Sequence, residues 1–492
     1  MKNYSMKKIM LNLFAGIFAL LIMVPQVNAT DGYFSNGFGT QNKGFAGAGI
    51  AFIKGPFAAA INPAGISFLD KKWSIEVSLG VFNPNRKYSV IGAPTLPSNW
   101  GHYQNGVFVP DMRYMAFGLT EGTVESDKKY FVIPTIAFTY KVAEKHTLGF
   151  NFYGNGGMNT TYETKTYYSP IIGAFPNPLP DGNPNPMVNV TQPTGVNLQQ
   201  MFASLTYSLQ LGKHSIGISP IFVYQTFEAK GLEAFRDLGM AGSPQLTQML
   251  GTPNRFDYVT NNGVDNSTGF GFKIGYQGEL AKGLRLGGSF QPRIKMTKFD
   301  KYKGLFAEEG GFDIPTNWQA GISYTIADKV TVMFDVKQIL YSKVKSIGNS
   351  MNPQEMMPMI PTEPASATQP YSPNPNWVPL GDENGAGFGW EDMMIFKLGL
   401  EAALIETWQF RAGFSYGKQP IPESEVMFNI MAPAVNNAHV SLGFTKEIKD
   451  HALNFAITHA LNNKVSGQNP FDPAQTIELE MNQWEFELGF RF

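Results

Sequence analysis

The chain has 492 residues and a formal net charge of −1, so it offers nucleic acid no excess of positive charge. It has no cysteine, which excludes disulfides, thiolate metal sites and cysteine nucleophiles. Only 16% of residues are charged, against about 25% in an ordinary soluble protein, while 13% are aromatic and 51 are Gly. That balance points away from a soluble domain.

At the amino terminus, Lys2, Lys7 and Lys8 precede an apolar run from Ile9 to Val24, and Val27-Asn28-Ala29 follows as a cleavage site. Met1 to Ala29 (1–29) therefore reads as a secretory signal, with the mature chain starting at Thr30. The rival reading, an anchoring helix, is short for a bilayer and ends in Pro25. No later apolar run reaches roughly eighteen residues, which excludes a helical membrane protein.

Residues 30–71 show no strand-like alternation and are rich in Gly and Ala, as in Gly37-Phe38-Gly39, Gly44 to Gly49 and Asn62-Pro63-Ala64-Gly65. Small residues permit close backbone packing, so this segment is expected inside the lumen of whatever follows, as a plug.

Period-two alternation dominates residues 72–492. Trp73, Ile75, Val77, Leu79 and Val81 alternate with Ser74, Glu76, Ser78 and Gly80; Val330, Val332, Phe334 and Val336 alternate with Thr331, Met333, Asp335 and Lys337. With turns placed where Gly, Asn, Asp and Lys cluster, strands are expected at 72–84, 129–142, 146–160, 198–211, 215–228, 267–280, 284–302, 316–326, 329–346, 392–404, 407–418, 437–447, 451–464 and 481–492. Fourteen is an even number, as single-chain bacterial barrels require. Tight links such as Ala327-Asp328 and Lys449-Asp450 contrast with long ones at 161–197, 230–266 and 348–391, the asymmetry of periplasmic turns and external loops. The last strand sets Trp484, Phe486, Leu488, Phe490 and Phe492 against Gln483, Glu485, Glu487, Gly489 and Arg491. A strand facing lipid must be paired on both edges, because an unpaired amide in hydrocarbon costs several kcal/mol, so the sheet must close. The expected fold is all-β: a fourteen-stranded antiparallel transmembrane barrel of the bacterial outer membrane.

The Gly-rich start, the Asn62-Pro63-Ala64 triplet before the first strand, the fourteen strands and the terminal Phe492 together resemble the FadL-type outer-membrane transporters of long-chain fatty acids and other hydrophobic compounds. The likeness spans essentially the whole mature chain. It implies a monomeric barrel closed by an amino-terminal hatch that includes Asn62, Pro63 and Ala64. Its partners would be a long-chain fatty acid or other hydrophobic molecule, outer-membrane lipid and, through the terminal Phe, the outer-membrane assembly machinery.

The same resemblance implies site residues. Leu232 to Gly239 is similar to the family's helical external loop after the fifth strand, so Leu232, Phe235, Leu238, Met240, Leu246, Met249 and Leu250 would line a greasy capture groove; alternatively they pack two loop helices together. Tyr33 and Phe34 would reach into a high-affinity pocket, or else pack the hatch on the wall. Gly154, Gly156 and Gly157 mark a bulge or bend in the third strand. In the family an inward kink there opens the wall laterally; the alternative is simply room for the hatch.

A fatty acid needs an apolar tunnel ending at a cation. Lys230, Arg293, Lys343 and Lys345 are the candidates, Lys345 resembling a family carboxylate-binding lysine by its place after the ninth strand. Each is otherwise a solvated or luminal charge. The six His residues form no HExxH pair, and no Gly-x-Ser-x-Gly elbow or P-loop is present, so no enzyme, metal or cofactor is expected. Uptake of aromatic hydrocarbons by the same route, a passive porin and a surface adhesin remain the other readings.

Overall fold

Backbone amides cannot be left open in hydrocarbon, and the strands meet that demand by closing on themselves. The computed structural model describes residues 31–94, 101–104, 107–110, 119–163, 166–167, 193–361 and 371–492; the expected leader lies outside the described residues. The main sheet has 15 strands, of which the four-residue Gly122–Glu125 is an appendage on the first, leaving fourteen in the wall. They are β1 (Trp73–Ile91), β2 (Phe131–Ala143), β3 (His146–Asn159), β4 (Gly195–Leu211), β5 (His214–Lys230), β6 (Asp265–Ala281) and β7 (Leu284–Gln291). Then follow β8 (Asn317–Ile326), β9 (Val330–Ile339), β10 (Met393–Ile405), β11 (Trp408–Gly417), β12 (Ala438–Ile448), β13 (His451–Asn469) and β14 (Asp472–Arg491). Each pairs antiparallel with its neighbour, and β14 pairs with β1 from Glu76↔Arg491 to Ile91↔Thr476, completing the barrel.

Period-two chemistry orients the wall. On β14, Gln483, Glu485 and Glu487 are at most 6% exposed, whereas Trp484, Phe486 and Leu488 are 38–53% exposed on the outer face. Likewise β9 turns Val332 and Phe334 outward and buries Thr331, Met333, Asp335 and Lys337. Outward-facing Tyr140, Tyr207 and Tyr324 lie close to the short turns, where an interfacial aromatic girdle belongs.

Several strand limits differ from the sequence reading, and β1 runs on to Ile91 rather than ending at 84. β7 ends at Gln291 rather than near 302, because Pro292 cannot donate to the ladder. β9 ends at Ile339 rather than 346; Tyr341 turns inward to full burial, and the chain continues in the short helical turns Tyr341–Lys343 and Lys345–Gly348. Conversely, 465–480 is not a loop: β13 and β14 run on to Asn469 and back from Asp472. There the outer face is polar, with Lys464 paired to Glu478 and Glu480, so the apolar alternation that marks a lipid-facing strand is lost while pairing continues.

Residues 31–70 pack against inward side chains on all sides of the barrel. Lys43 is buried between Glu485 and Glu487 of β14. The amides of Gly49 and Ile50 donate to Asp335 Oδ2 of β9 at 2.7 and 2.9 Å. Asn62 Nδ2 donates to the carbonyl of Tyr276 on β6 at 2.9 Å, and the Ala64 carbonyl accepts from Ser208 and Ser215 on β4 and β5. Asn62 also caps the 3-10 turn Pro63–Phe68, its Oδ1 accepting from the Ala64 amide at 3.1 Å, with Pro63 at the first helical position, where no amide is needed.

Contact this close requires a wall without side chains. A Cβ on Gly275 would lie 2.0 Å from Asn62 Oδ1, one on Gly217 2.4 Å from the Pro63 backbone, one on Gly287 2.6 Å from the Ile50 carbonyl and one on Gly413 2.0 Å from the Phe45 backbone. Inward glycines therefore shape the inner wall to this segment. Gly275→Val is expected to destabilise the barrel by about 1–3 kcal/mol through overpacking, measured by urea unfolding in detergent. Gly288→Ala, where the nearest atom is 3.7 Å from the new Cβ, is the control and should leave the midpoint unchanged.

Candidate functional site

The first described residues meet the wall where the wall is incomplete. The β2–β3 ladder runs from Ala143↔His146 only to Ile136↔Phe152, although β3 continues to Asn159 paired with β4. Along β3, alternating exposure stops at Phe152, and Tyr153 to Asn159 are all buried, so the upper strand leans into the lumen. The β3–β4 register slips between Gly154 and Gly156, leaving Asn155 as the extra residue of a bulge. β2 has Pro134 in the stretch facing the gap, and a proline is tolerated at an edge that has no partner. Above, the chain closes again: the Asp127 amide donates to the Thr161 carbonyl at 2.9 Å. The result is a window in the wall, lined on its inner side by the buried cluster Phe82, Phe131 and Ile133.

The amino-terminal segment supplies what β2 does not. The Gly157 amide donates to the Tyr33 carbonyl at 3.0 Å and the Ser35 amide to the Asn155 carbonyl at 2.8 Å, with a bridge between Phe34 and Gly156. A Cβ on Gly156 would sit 1.9 Å from the Tyr33 carbonyl oxygen, so the glycine is needed for this docking. Gly154, Gly156 and Gly157 thus both bend the strand and admit the segment's backbone.

Asp31 fixes the segment in place. Its carboxylate accepts from Lys337 of β9 at 2.8 Å and Lys397 of β10 at 3.1 Å, all three side chains being at most 9% exposed. Burial by itself opposes ionisation of Asp31, but the two ammonium groups outweigh it and hold its carboxyl below the usual carboxylate range. Lys43 is the mirror case: burial works against its charge, and Glu485 and Glu487 prevail, raising its pKa. Next to Asp31, Tyr33 stands among aromatic rings, 5.1 Å from Phe34, 5.3 Å from Tyr341 and 6.0 Å from both Phe312 and Trp390.

Of the residues expected at a binding site, Tyr33, Phe34, Leu232, Phe235 and Met240 fall within one buried apolar cluster, with Leu238 packed against it. Phe235 on the short helix Glu233–Asp237 stacks edge-on against Tyr167 and Phe428, bringing the loop after β5 over the barrel mouth. Leu246, Met249 and Leu250 lie apart on the helix Pro244–Leu250, none of them buried and Met249 54% exposed. The expected cations lie outside the interior: Lys230 pairs with Glu228, Lys345 with Glu383, and Arg293 with Asp313 and Glu308, while Lys343 is exposed.

Among the described residues the buried cations of the strands are others, Arg86, Lys273, Lys337, Lys397 and Arg411, and Lys43 and Arg255 are buried off the strands. The signal of the strand cations in the sequence is a basic residue at an inward position of an alternating strand, visible for Lys337 but given no role there. Two clefts flank the Asp31–Phe38 stretch. One lies between Tyr33, Phe82, Arg86, Met158 and Met481 and holds about 20 Å³, room for one water. The other, of the same size, is bounded by Phe34, Asn36, Phe38, Lys273, Gln291 and Lys337. A larger cleft of about 300 Å³ near the short turns is lined by polar Lys54, Asp70, Lys71, Glu447 and Arg491.

A closed fourteen-strand barrel with a lipid-facing apolar exterior, filled from within by its own amino-terminal segment, is an outer-membrane protein of the transport class. The chain belongs to the outer membrane protein transport protein family (OMPP1/FadL/TodX), whose family model matches residues 190–484. Its fold is that of solved members. The toluene transporter TodX of P. putida superimposes with a TM-score of 0.59 at 16% identity, over 93% of this chain and 98% of that one. A Pseudomonas aeruginosa FadL homologue gives 0.59 at 14% identity, over 94% and 99%, and the Ralstonia pickettii toluene transporter TbuX 0.52 at 15%, over 92% and 98%. No curated protein matches the chain in sequence.

The Asp31 anchor predicts an acid response of definite sign. The folded pKa lies below the ordinary 3.8, so the stabilisation is complete above that value and is lost as pH falls through the lowered one. Limited proteolysis of the amino-terminal segment should find it protected from neutral pH down to the ordinary carboxylate range and released only on acidification below that range. Asp31→Asn leaves two buried ammonium groups without their carboxylate and should expose the segment already at neutral pH, at a cost of about 3–5 kcal/mol.

Proposed function

We propose that the protein takes up hydrophobic small molecules across the outer membrane, long-chain fatty acids foremost, and releases them sideways through the β2–β3 window. The observation that carries this reading is the wall break itself, beside an amino-terminal segment that fills the lumen. A molecule that left downward would meet water, and an alkyl chain of ~16 carbons would forfeit on the order of 12 kcal/mol at about 0.8 kcal/mol per methylene. Lateral exit keeps the chain in apolar surroundings throughout.

In this reading the apolar cluster that joins Leu232, Phe235 and Met240 to Tyr33 and Phe34 is the entry path, and Leu246, Met249 and Leu250 form its exposed outer lip. Residues 30–71 act as the hatch, with Asn62, Pro63 and Ala64 as the hinge-side anchor on β4 to β6. The water-sized clefts beside Tyr33 and Phe34 leave no room for an alkyl chain in the resting arrangement, so binding requires the hatch residues to shift. A substrate with higher affinity for the shifted state then drives the opening by population. Buried Arg86 and Lys273, facing the two clefts, favour an anionic substrate. The second reading, aromatic hydrocarbons, is favoured by the aromatic surroundings of Tyr33 and by solved relatives described as toluene transporters and as a monoaromatic hydrocarbon channel.

Two outcomes test the route. In planar bilayers the intact protein should conduct ions weakly, and deletion of residues 30–70 should raise conductance; a large open-channel current in the intact protein would make it a porin. Because the chain has no cysteine, paired substitutions Ile133→Cys and Asn155→Cys can be bridged by a thiol-reactive linker across the window. Bridging should arrest oleate uptake and cleavage of the linker should restore it. Uptake that continues through the bridged window would reject lateral release.

A further inference from the structure

Among the buried cations of the wall, Lys337, Lys397 and Arg411 each hold a carboxylate within 3.1 Å. Arg86 on β1, 5% exposed, has none among the described residues. Its two terminal nitrogens donate to backbone carbonyls, Nη1 to that of Asn159 at the end of β3 and Nη2 to that of Lys128 just before β2. Its Nε is buried without a hydrogen-bond partner. The guanidinium lies 5.7 Å from the Phe131 ring and lines the cleft that Tyr33, Phe82, Met158 and Met481 complete. Lys273, the other buried strand cation without a carboxylate, donates to the Ala60 carbonyl at 2.7 Å and faces the luminal segment rather than the window.

These observations describe a charged fork at the upper corner of an apolar window, held by neutral acceptors. Charge-assisted hydrogen bonds are roughly twice as strong as neutral ones, and a guanidinium fits a carboxylate two bonds at a time. A buried cation without a counter-anion is also costly, so an incoming carboxylate gains where a carbonyl or a water does not. We propose that Arg86 recognises the carboxylate of an amphiphilic monocarboxylic acid at the window, the alkyl chain lying along Phe82, Phe131 and Met158. The carboxylate takes the place of the Asn159 and Lys128 carbonyls. Those two carbonyls belong to the two sides of the gap, so the exchange also unfastens the rim. Ligand recognition and widening of the window are then one event, and an uncharged hydrocarbon cannot trigger it through this residue. The inference rests on the lateral-release reading above and adds the residue that recognises the acid and couples that recognition to the window.

The test compares oleate with methyl oleate, which keeps the chain and removes the charge. Binding of each to wild type, Arg86→Gln and Arg86→Lys is measured on detergent-purified protein, with near-UV circular dichroism as the folding control. Arg86→Gln should weaken oleate by at least about tenfold, the worth of a hydrogen bond to a charged group, while methyl oleate stays within about twofold. Arg86→Lys keeps the charge without the fork and should fall between; it also serves if Arg86→Gln does not fold. Equal losses for acid and ester would make Arg86 a structural staple only, and no loss for either would remove it from the site. Wild type that binds neither ligand would overturn the uptake reading itself, whereas wild type that binds both with Arg86 variants unchanged would overturn this inference alone.

Discussion

The rest of the structure depends on one constraint: every backbone amide and carbonyl in the hydrocarbon layer must be paired within the protein. Closure of β14 on β1 satisfies it around the barrel, and the β2–β3 gap is where it is relaxed. At that gap the missing ladder is partly supplied from inside, by the backbone of Tyr33 and Ser35 against Gly157 and Asn155. The integrity of the wall and the position of the amino-terminal segment are therefore linked by the same hydrogen bonds. A segment that moves leaves β3 with open backbone groups, and a β3 that moves takes away the segment's docking edge.

The interior is divided by chemistry. Toward the short turns, residues 40–70 are held by buried polar contacts, Lys43 with Glu485 and Glu487, and Asp335 with the amides of Gly49 and Ile50. Toward the loops, the filling is an apolar cluster that runs from Tyr33 and Phe34 to Phe235 and Phe428. Asp31 stands at the boundary, its carboxylate on Lys337 and Lys397 while the next residues enter the aromatic group. Specific ion pairs hold one fixed arrangement, whereas aromatic and methionine contacts can repack around a guest. In the proposed function the first part stays and the second yields.

Much of the wall was legible in the sequence because alternation between lipid and lumen is local. Trp484, Phe486 and Leu488 against Glu485 and Glu487 identify β14 from a handful of residues. Legibility failed where lipid no longer sets the pattern. Above the bilayer, β13 and β14 pair through polar residues such as Lys464 and Glu478. The candidate cations show the same limit: Lys230 and Lys345 stand near the right elements, but each already holds a carboxylate at the surface.

The sequence by itself determined the class of fold, the number of strands, the bend at Gly154 to Gly157 and the Gly-rich segment before β1, since each follows from periodicity or from residues with special backbone freedom. Only the tertiary structure decided which interior charges meet. Asp31 lies more than 300 positions from Lys337 and Lys397, as the hydrogen-bonded pairs record. Arg86 reaches Asn159 and Lys128 only because β1, β2 and β3 are neighbours and the ladder between the last two stops at Phe152. Sequence spacing carries no information about such pairs, because barrel closure and luminal packing, not chain proximity, bring them together.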